Sequence, residues 1–364
     1  MDLKLSSDQT YMRDEARRLL AERAGSEQLR RAIEAGGFDA ALWATIGGEL
    51  GWCAVAVPEE AGGLGLGTSE LVLLAEECGR RLAPAPFWST ACLAAPLVAA
   101  LGAEDAGGAL LARIAAGEAA ACAWSGIGSA DPLSGTMPVA RRVGDGWTIS
   151  GTIAAVLDAG SATFIVIPAS TDDGWGLFAV ERLATKVEAL DGIDLTRPSA
   201  RLTLEGAAAS RIDGGGFSAG DLDTALLTAR LTLAAEQVGA AQGALDLTRA
   251  YIADRVQFSR TIASFQAVKH RCAALLVEIS EARSLVYGAA RGLDLREVAA
   301  AGVLATEVLF RAAEEAIQLH GGVGNTWEYD PHLYLRRAQA TACLFGSTDE
   351  RLDAIAGSLM GAAA

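Results

Sequence analysis

TFIVIPASTDDGWGLFAV, residues 163–180, is the stretch on which the fold turns. Its two apolar runs, Thr163 to Ile167 and Leu177 to Val180, are too short for helices. Pro168, Asp172, Asp173 and Gly174 separate them, and such residues bound strands and make the turns between them. The same grammar recurs at Trp147-Thr148-Ile149 and at Arg201-Leu202-Thr203-Leu204, and it begins near Ala121-Cys122-Ala123-Trp124. These runs predict an antiparallel β module, sandwich or barrel, over 119–215. No long helical pattern interrupts the strands, so a parallel sheet built from βαβ units is disfavoured.

Working outward from this module, both flanks are helical. On the N-terminal side, residues 6–23 open with a Ser/Asp cap signal and carry Met12, Ala16, Leu19 and Leu20 on one stripe. A short helix is predicted from Leu42 to Trp52, a Pro/Gly loop over 54–70 at whose end Thr68-Ser69-Glu70 starts the next helix, that helix from Leu71 to Arg81, and Ala/Leu-rich helical pieces over 90–116. On the C-terminal side, DGGGFSAGD (213–221) reads as a flexible connector. Residues 222–253 carry few charges and predict a helix buried on most sides. Val268, Cys272, Leu275, Ile279 and Val286 line a second helix. Val298, Leu304, Val308, Ala312 and Ile317 line a third that stops at Gly321-Gly322. A shorter helix covers 331–344. Short connections make these four an antiparallel bundle. The expected class is therefore α+β: a helical domain (1–118), a β domain (119–215) and a four-helix bundle (216–364).

The formal charge of −15 and the absence of any Lys/Arg-rich run argue against nucleic acid and against an anionic membrane as partners. No apolar run spans a bilayer and no signal peptide opens the chain, so a soluble, cytoplasmic protein is expected. The six cysteines form no CxxC pair and read as buried reduced thiols. The three histidines, His270, His320 and His332, have no metal-ligand spacing, so no metal site is expected.

Two segments carry chemistry. Arg255 and Phe258 lie three apart in ADRVQFSRTIASFQAVKHRCA (253–273). An arginine there suits a diphosphate, whose oxygens match the guanidinium fork. The plainer reading is a surface arginine with Phe258 in the core. Gly321-Gly322 in QLHGGVGNTWEYDPHLYLRRA (318–338) lets a ligand approach the backbone, or simply caps a helix. GLGLG at 63–67 lacks the spacing of a dinucleotide fingerprint and reads as a turn.

Both segments, together with VPEEAGGLGLG (57–67) and ELVLLAEECGRRLAPAPF (70–87), resemble the acyl-CoA dehydrogenase family. The first resembles its RxxFGxxxxxFQ segment, with Ser259 in place of Gly. The second resembles its QxxGGxGxxxE…RDA segment. The resemblance covers nearly the whole chain and implies an FAD-dependent oxidoreductase acting on an acyl-CoA. It implies that Arg255, Phe258, Gln266, Gln318, Gly321 and Gly322 bind the adenine-diphosphate half of an FAD across a subunit interface.

Elsewhere the chain departs from the family. The flavin-ring loop TEPxxGSD corresponds to Trp124–Asp131, which keeps Gly128-Ser129 but lacks the Thr-Glu-Pro start. The WIT/S-like strand falls in 150–162, where aliphatic residues replace the Trp and Thr. The catalytic base position falls on Phe345, and the alternative one on Ala229; neither accepts a proton. Glu236 is a weak substitute, with a solvated or intersubunit role the commoner reading. TWEYDPHLYLRRA and LFG also resemble the steroid side-chain subgroup, whose unlike chains form heterotetramers. The resemblance thus implies a base-lacking subunit that completes a catalytic paralogue's FAD site, with electron-transfer flavoprotein as acceptor. The alternatives are a self-sufficient homomeric enzyme using Glu236, and a flavin-free scaffold.

Overall fold

A computed structural model describes residues 4–361. Its N-terminal helices are α1 (Ser7–Arg23), α2 (Ser26–Glu34), α3 (Ala40–Trp43), α4 (Thr68–Arg80), α5 (Ala95–Leu101) and α6 (Glu104–Ala115). Ser6 starts α1 through a reciprocal box: its hydroxyl accepts from the Gln9 amide, and the Gln9 side chain accepts from the Ser6 amide. The single helix expected from Leu42 to Trp52 is instead α3, a π-helical turn and a stop at Gly51, whose φ of 62° only glycine adopts freely. The 54–67 loop is as expected, and Thr68 opens α4 one turn before Leu71.

The β domain comprises β1 (Ala120–Cys122), β2 (Val139–Val143), β3 (Gly146–Leu157), β4 (Phe164–Thr171), β5 (Gly174–Glu181), β6 (Lys186–Leu190) and β7 (Ser199–Arg211). The ring β4-β2-β3-β7-β5 closes back onto β4, so the module is a barrel; β1 lies beside β4 and β6 beside β7. Most pairs are antiparallel. The β1–β4 and β2–β4 pairs are parallel, which corrects the purely antiparallel expectation. Neither pair is joined by a hairpin, so no tight turn imposes the antiparallel sense. Ile149, Ile153, Ile165, Ile167, Phe178, Leu202 and Leu204 fill a core private to this domain.

The C-terminal part is α7 (Ala219–Ala225), α8 (Leu227–Asp254), a hairpin of β8 (Val256–Gln257) and β9 (Arg260–Thr261), α9 (Gln266–Ala289), α10 (Leu295–His320), α11 (Pro331–Ala342) and α12 (Thr348–Gly361). The expected bundle is α8 to α11, and α12 is an addition to it. The predicted 222–253 helix breaks at Leu226 into α7 and α8. The connector is fastened, not free: Asp213 accepts from the Leu177 amide at 2.7 Å and pairs with Arg211 at 2.9 Å.

Helix α8 is the ruler of the molecule. Its 28 residues span about 40 Å at about 1.5 Å per residue. It is buried almost continuously from Ala229 to Leu245, as its low charge predicted. It crosses α4 backbone to backbone. A Cβ on Gly239 would lie 1.8 Å from the Glu76 carbonyl oxygen, and one on Gly79 would lie 2.0 Å from that of Glu236. The two helical parts consequently share one core. Helices α8 and α10 run side by side in the same direction, joined midway where Thr306 donates to Gln237. At their C-terminal ends Tyr251 stacks on His320 with centroids 4.2 Å apart. Among the described residues no helix is long and apolar enough to cross a membrane.

Candidate functional site

The C-terminal ends of α8 and α10 and the N-terminal end of α9 meet at one end of the bundle. The Tyr251–His320 stack draws Arg255 and Gly321 there, and the hairpin returns the chain into α9. The Arg255 backbone is held on both sides: its amide donates to Tyr251 and its carbonyl accepts from Ile262, each at 2.9 Å. Its side chain is exposed and joins no ion pair among the described residues. Phe258 is 87% exposed at the hairpin tip, so it is not a core residue. Both tip residues have positive φ, 53° at Phe258 and 60° at Ser259. A left-handed non-glycine residue costs roughly 1–2 kcal/mol. The family's glycine at 259 would avoid part of that cost.

Gln266 opens α9, and among the described residues no side chain caps that helix; the Val268 and Lys269 amides donate to the Phe265 carbonyl, each at 3.1 Å. Gln318 is exposed. Gly321 caps α10 with φ 65°, and a Cβ at either Gly321 or Gly322 would meet nothing within 4 Å. The cap reading and the open-approach reading therefore hold together. An open backbone, an uncapped helix N-terminus and an unpaired guanidinium fit the diphosphate half of a dinucleotide. All six residues are exposed on the chain's surface.

The other end of α8 is closed. Phe345 is 5% exposed and sits edge-on to Trp88, with centroids 6.1 Å apart at 61°. The Arg230 guanidinium stacks over its ring at 5.5 Å. The Phe345 amide donates to the Ile127 carbonyl at 2.7 Å, which pins this turn against the 124–131 loop of the β domain. Ala229 is buried, and its carbonyl accepts from the Trp88 indole at 3.3 Å. Helix α12 covers what remains. A cavity of about 130 Å³ is left, walled by Phe345, Leu233, Val298 and Ile355. That is below the roughly 300–1,000 Å³ of ordinary substrate pockets. Sequence reasoning missed α12, although Ser347-x-x-Glu350 spells its capping box: the Ser347 amide and hydroxyl donate to Glu350 at 2.7 and 2.9 Å.

Glu236 belongs to neither end. It is 3% exposed, and its two oxygens take Arg337 and Arg197 separately. Arg337 also holds Asp194 and donates to Thr196 at 2.6 Å. Burial alone would lower the Arg337 pKa, but Asp194 and Glu236 outweigh it and hold the group charged. Glu236 is thus an internal ion-pair partner, neither solvated nor placed to take a substrate proton. Nearby Asp158 accepts from Ser89, and burial pushes its carboxyl up against the opposing pull of Arg197. The cluster ties α8 and α11 to the β domain.

Cys53, Cys78, Cys92 and Cys122 are buried free thiols pushed up by burial. Cys272 is half-buried, and Cys343 is exposed, contrary to the uniform burial expected.

Profiles of the acyl-CoA dehydrogenase N-terminal and C-terminal domains match residues 6–118 and 216–360. The chain is 33% identical to the acyl-CoA dehydrogenase IpdE2 of Mycolicibacterium smegmatis over 96% of its own length and 97% of the relative. A variant of the Tcur3481–Tcur3483 steroid ACAD shares 30% identity at a TM-score of 0.86, covering 98% of this chain and 99% of that one. The ChsE4–ChsE5 complex of Mycobacterium tuberculosis shares 26% at a TM-score of 0.87, with 99% of both chains covered. The chain belongs to the acyl-CoA dehydrogenase family of oxidoreductases.

Proposed function

We propose that this acyl-CoA dehydrogenase is a non-autonomous subunit that completes the FAD site of a catalytic paralogue and lacks a base of its own. The carrying observation is the contrast along α8: the residues that resemble the family's trans FAD contacts are exposed, and the residue at the position resembling the family's base is a buried phenylalanine. Bound FAD would supply the hydride acceptor for α,β-dehydrogenation of an acyl-CoA. This chain would contribute Arg255, Gln266 and the α9 amides to the diphosphate. Gly321, Gly322, Gln318 and Phe258 would shape the adenine side. The paralogue would contribute the flavin-ring wall and the carboxylate that takes the α proton. The likeness to a steroid ACAD supports a steroid side-chain CoA as substrate, and electron-transfer flavoprotein is the acceptor this reading implies. The likeness to two solved pairs of unlike chains supports an assembly with an unlike partner, and the stoichiometry this reading implies is 2:2.

Co-expression tests it. The chain made alone should be colourless and inactive. With an acyl-CoA dehydrogenase paralogue that retains its glutamate, it should purify as a yellow 2:2 complex by light scattering. A yellow, active protein from this chain alone would favour the homomeric reading. A colourless protein with every such paralogue would favour the scaffold.

A further inference from the structure

The cavity beside Phe345 has one arginine without a carboxylate partner among the described residues. Arg230, Arg296, Arg351, Asp223 and Glu350 are the charged groups around it. Four of them are satisfied locally. Arg230 pairs with Asp223 at 2.6 Å, Arg296 lies 3.5 Å from Asp294, and the Glu350 carboxylate caps Ser347. Arg351 joins no ion pair among the described residues. It donates to the carbonyls of Leu344 at 2.6 Å and Gly302 at 3.3 Å, and to the Thr306 hydroxyl at 3.3 Å. These neutral acceptors fix its orientation without neutralising it. Burial, and then the Arg230 charge, push its guanidinium below its ordinary value against the opposing pull of Glu350. Arg230 is compensated by Asp223, whereas Arg351 is a partly buried guanidinium without a carboxylate partner among the described residues, and an anion beside it would be favourable.

The rest of the cavity is hydrocarbon. A cavity of about 150 Å³ lined by aliphatic side chains is known to take a benzene ring, and this one is close to that size at about 130 Å³. We propose that it binds a small monocarboxylate with a compact apolar ring, the carboxylate on Arg351 and Arg230 and the ring against Leu233, Val298 and Ile355. This site is independent of the FAD half-site at the other end of α8, and it stands or falls separately from the partner-subunit reading.

Benzoate, benzamide and acetate form the test set, titrated calorimetrically into the full-length chain. Benzoate should bind saturably in the millimolar range or below. Benzamide, which has the shape without the charge, should be weaker by roughly tenfold or more, as loss of a charge-assisted hydrogen bond implies. Acetate, which has the charge without the ring, should be weaker by at least a similar factor, about what burying a small apolar body contributes. Arg351→Gln and Arg230→Gln should each weaken benzoate. The ligand series on the unaltered chain keeps its force if Arg351→Gln fails to fold. Equal binding of benzoate and benzamide, no saturable heat with benzoate, or wild-type affinity in both folded arginine variants would overturn the proposal.

Discussion

The two ends of α8 have had opposite fates. At the C-terminal end Arg255, Phe258, Gln266 and Gln318 are exposed, the Gly321-Gly322 backbone is open, and two tip residues keep strained left-handed conformations. At the N-terminal end Phe345 is packed among Trp88, the Arg230 guanidinium and aliphatic side chains. A protein merely losing its function would be expected to erode both ends. Here one end keeps an exposed, strained hairpin, and the other is packed with aromatic and aliphatic side chains. Exposed strain is retained where the surroundings overrule it, often at a functional site.

The largest expected effect removes the ruler that separates the ends. Gly239→Val would put methyl groups where the α4 backbone lies, since even a Cβ would be 1.8 Å from the Glu76 carbonyl oxygen. A loss of more than about 3 kcal/mol, read by chemical unfolding or as absence of soluble protein, is expected. Next is the ion cluster at the middle. Arg337→Ala leaves Asp194 and Glu236 buried without their shared cation and should cost about 3–5 kcal/mol. Neither loss should alter the contrast between the ends in protein that still folds.

Much of the fold was legible in residues. TFIVI and LFAV gave a strand pair, the low charge of 222–253 gave a buried helix, and the two glycines after His320 gave its stop. What stayed hidden depends on contacts between distant segments. The closure of the barrel rests on β5 pairing with both β4 and β7, which no local pattern encodes. Glu236 looks like any helical glutamate until Arg197 and Arg337 arrive from 39 and 101 residues away. Phe258 reads as a core residue by hydrophobicity alone, and only the family resemblance pointed outward. Helix α12 was readable from its capping box but carries a weak apolar stripe. Its role as a lid over Arg230 and Phe345 is purely tertiary.

Arg255→Ala sharpens the comparison at the open end. The side chain has no ion pair among the described residues, so folding should be nearly unchanged. FAD retention in the assembled complex should drop by roughly tenfold or more, the scale of one charge-assisted phosphate contact. Stoichiometric flavin in that variant would remove Arg255 from the trans site. Phe345→Glu probes the closed end. The new carboxylate would lie against Arg230 and pair with it, in a cavity too small for a thioester. No acyl-CoA oxidation above background with an artificial acceptor is expected from the isolated variant. Measurable turnover would show that the closed end needs only a base.

The smallest effect concerns how the open end is held. His320 is 4% exposed; its Nδ1 lies 2.6 Å from the Ala316 carbonyl, and its ring stacks on Tyr251. Its buried Nε2 has no protein partner. Burial therefore pushes the imidazole below its ordinary pKa, against the opposing effect of the Ala316 carbonyl. The unfolded chain then binds the proton more readily than the folded one. The stability His320 contributes is fully present above the ordinary histidine value and is lost as pH falls through it towards the lower folded value. Acidification from neutrality to about pH 5 should loosen the stack that fixes Arg255 beside Gly321. Hydrogen exchange at the Arg255 amide should accelerate over that range, with little change at Gln237 in the middle of α8. His320→Phe keeps a ring on Tyr251 and removes the titration, so it should flatten the pH dependence at Arg255. An unchanged acid response in that variant would place the sensitivity elsewhere and leave the stack a passive packing contact.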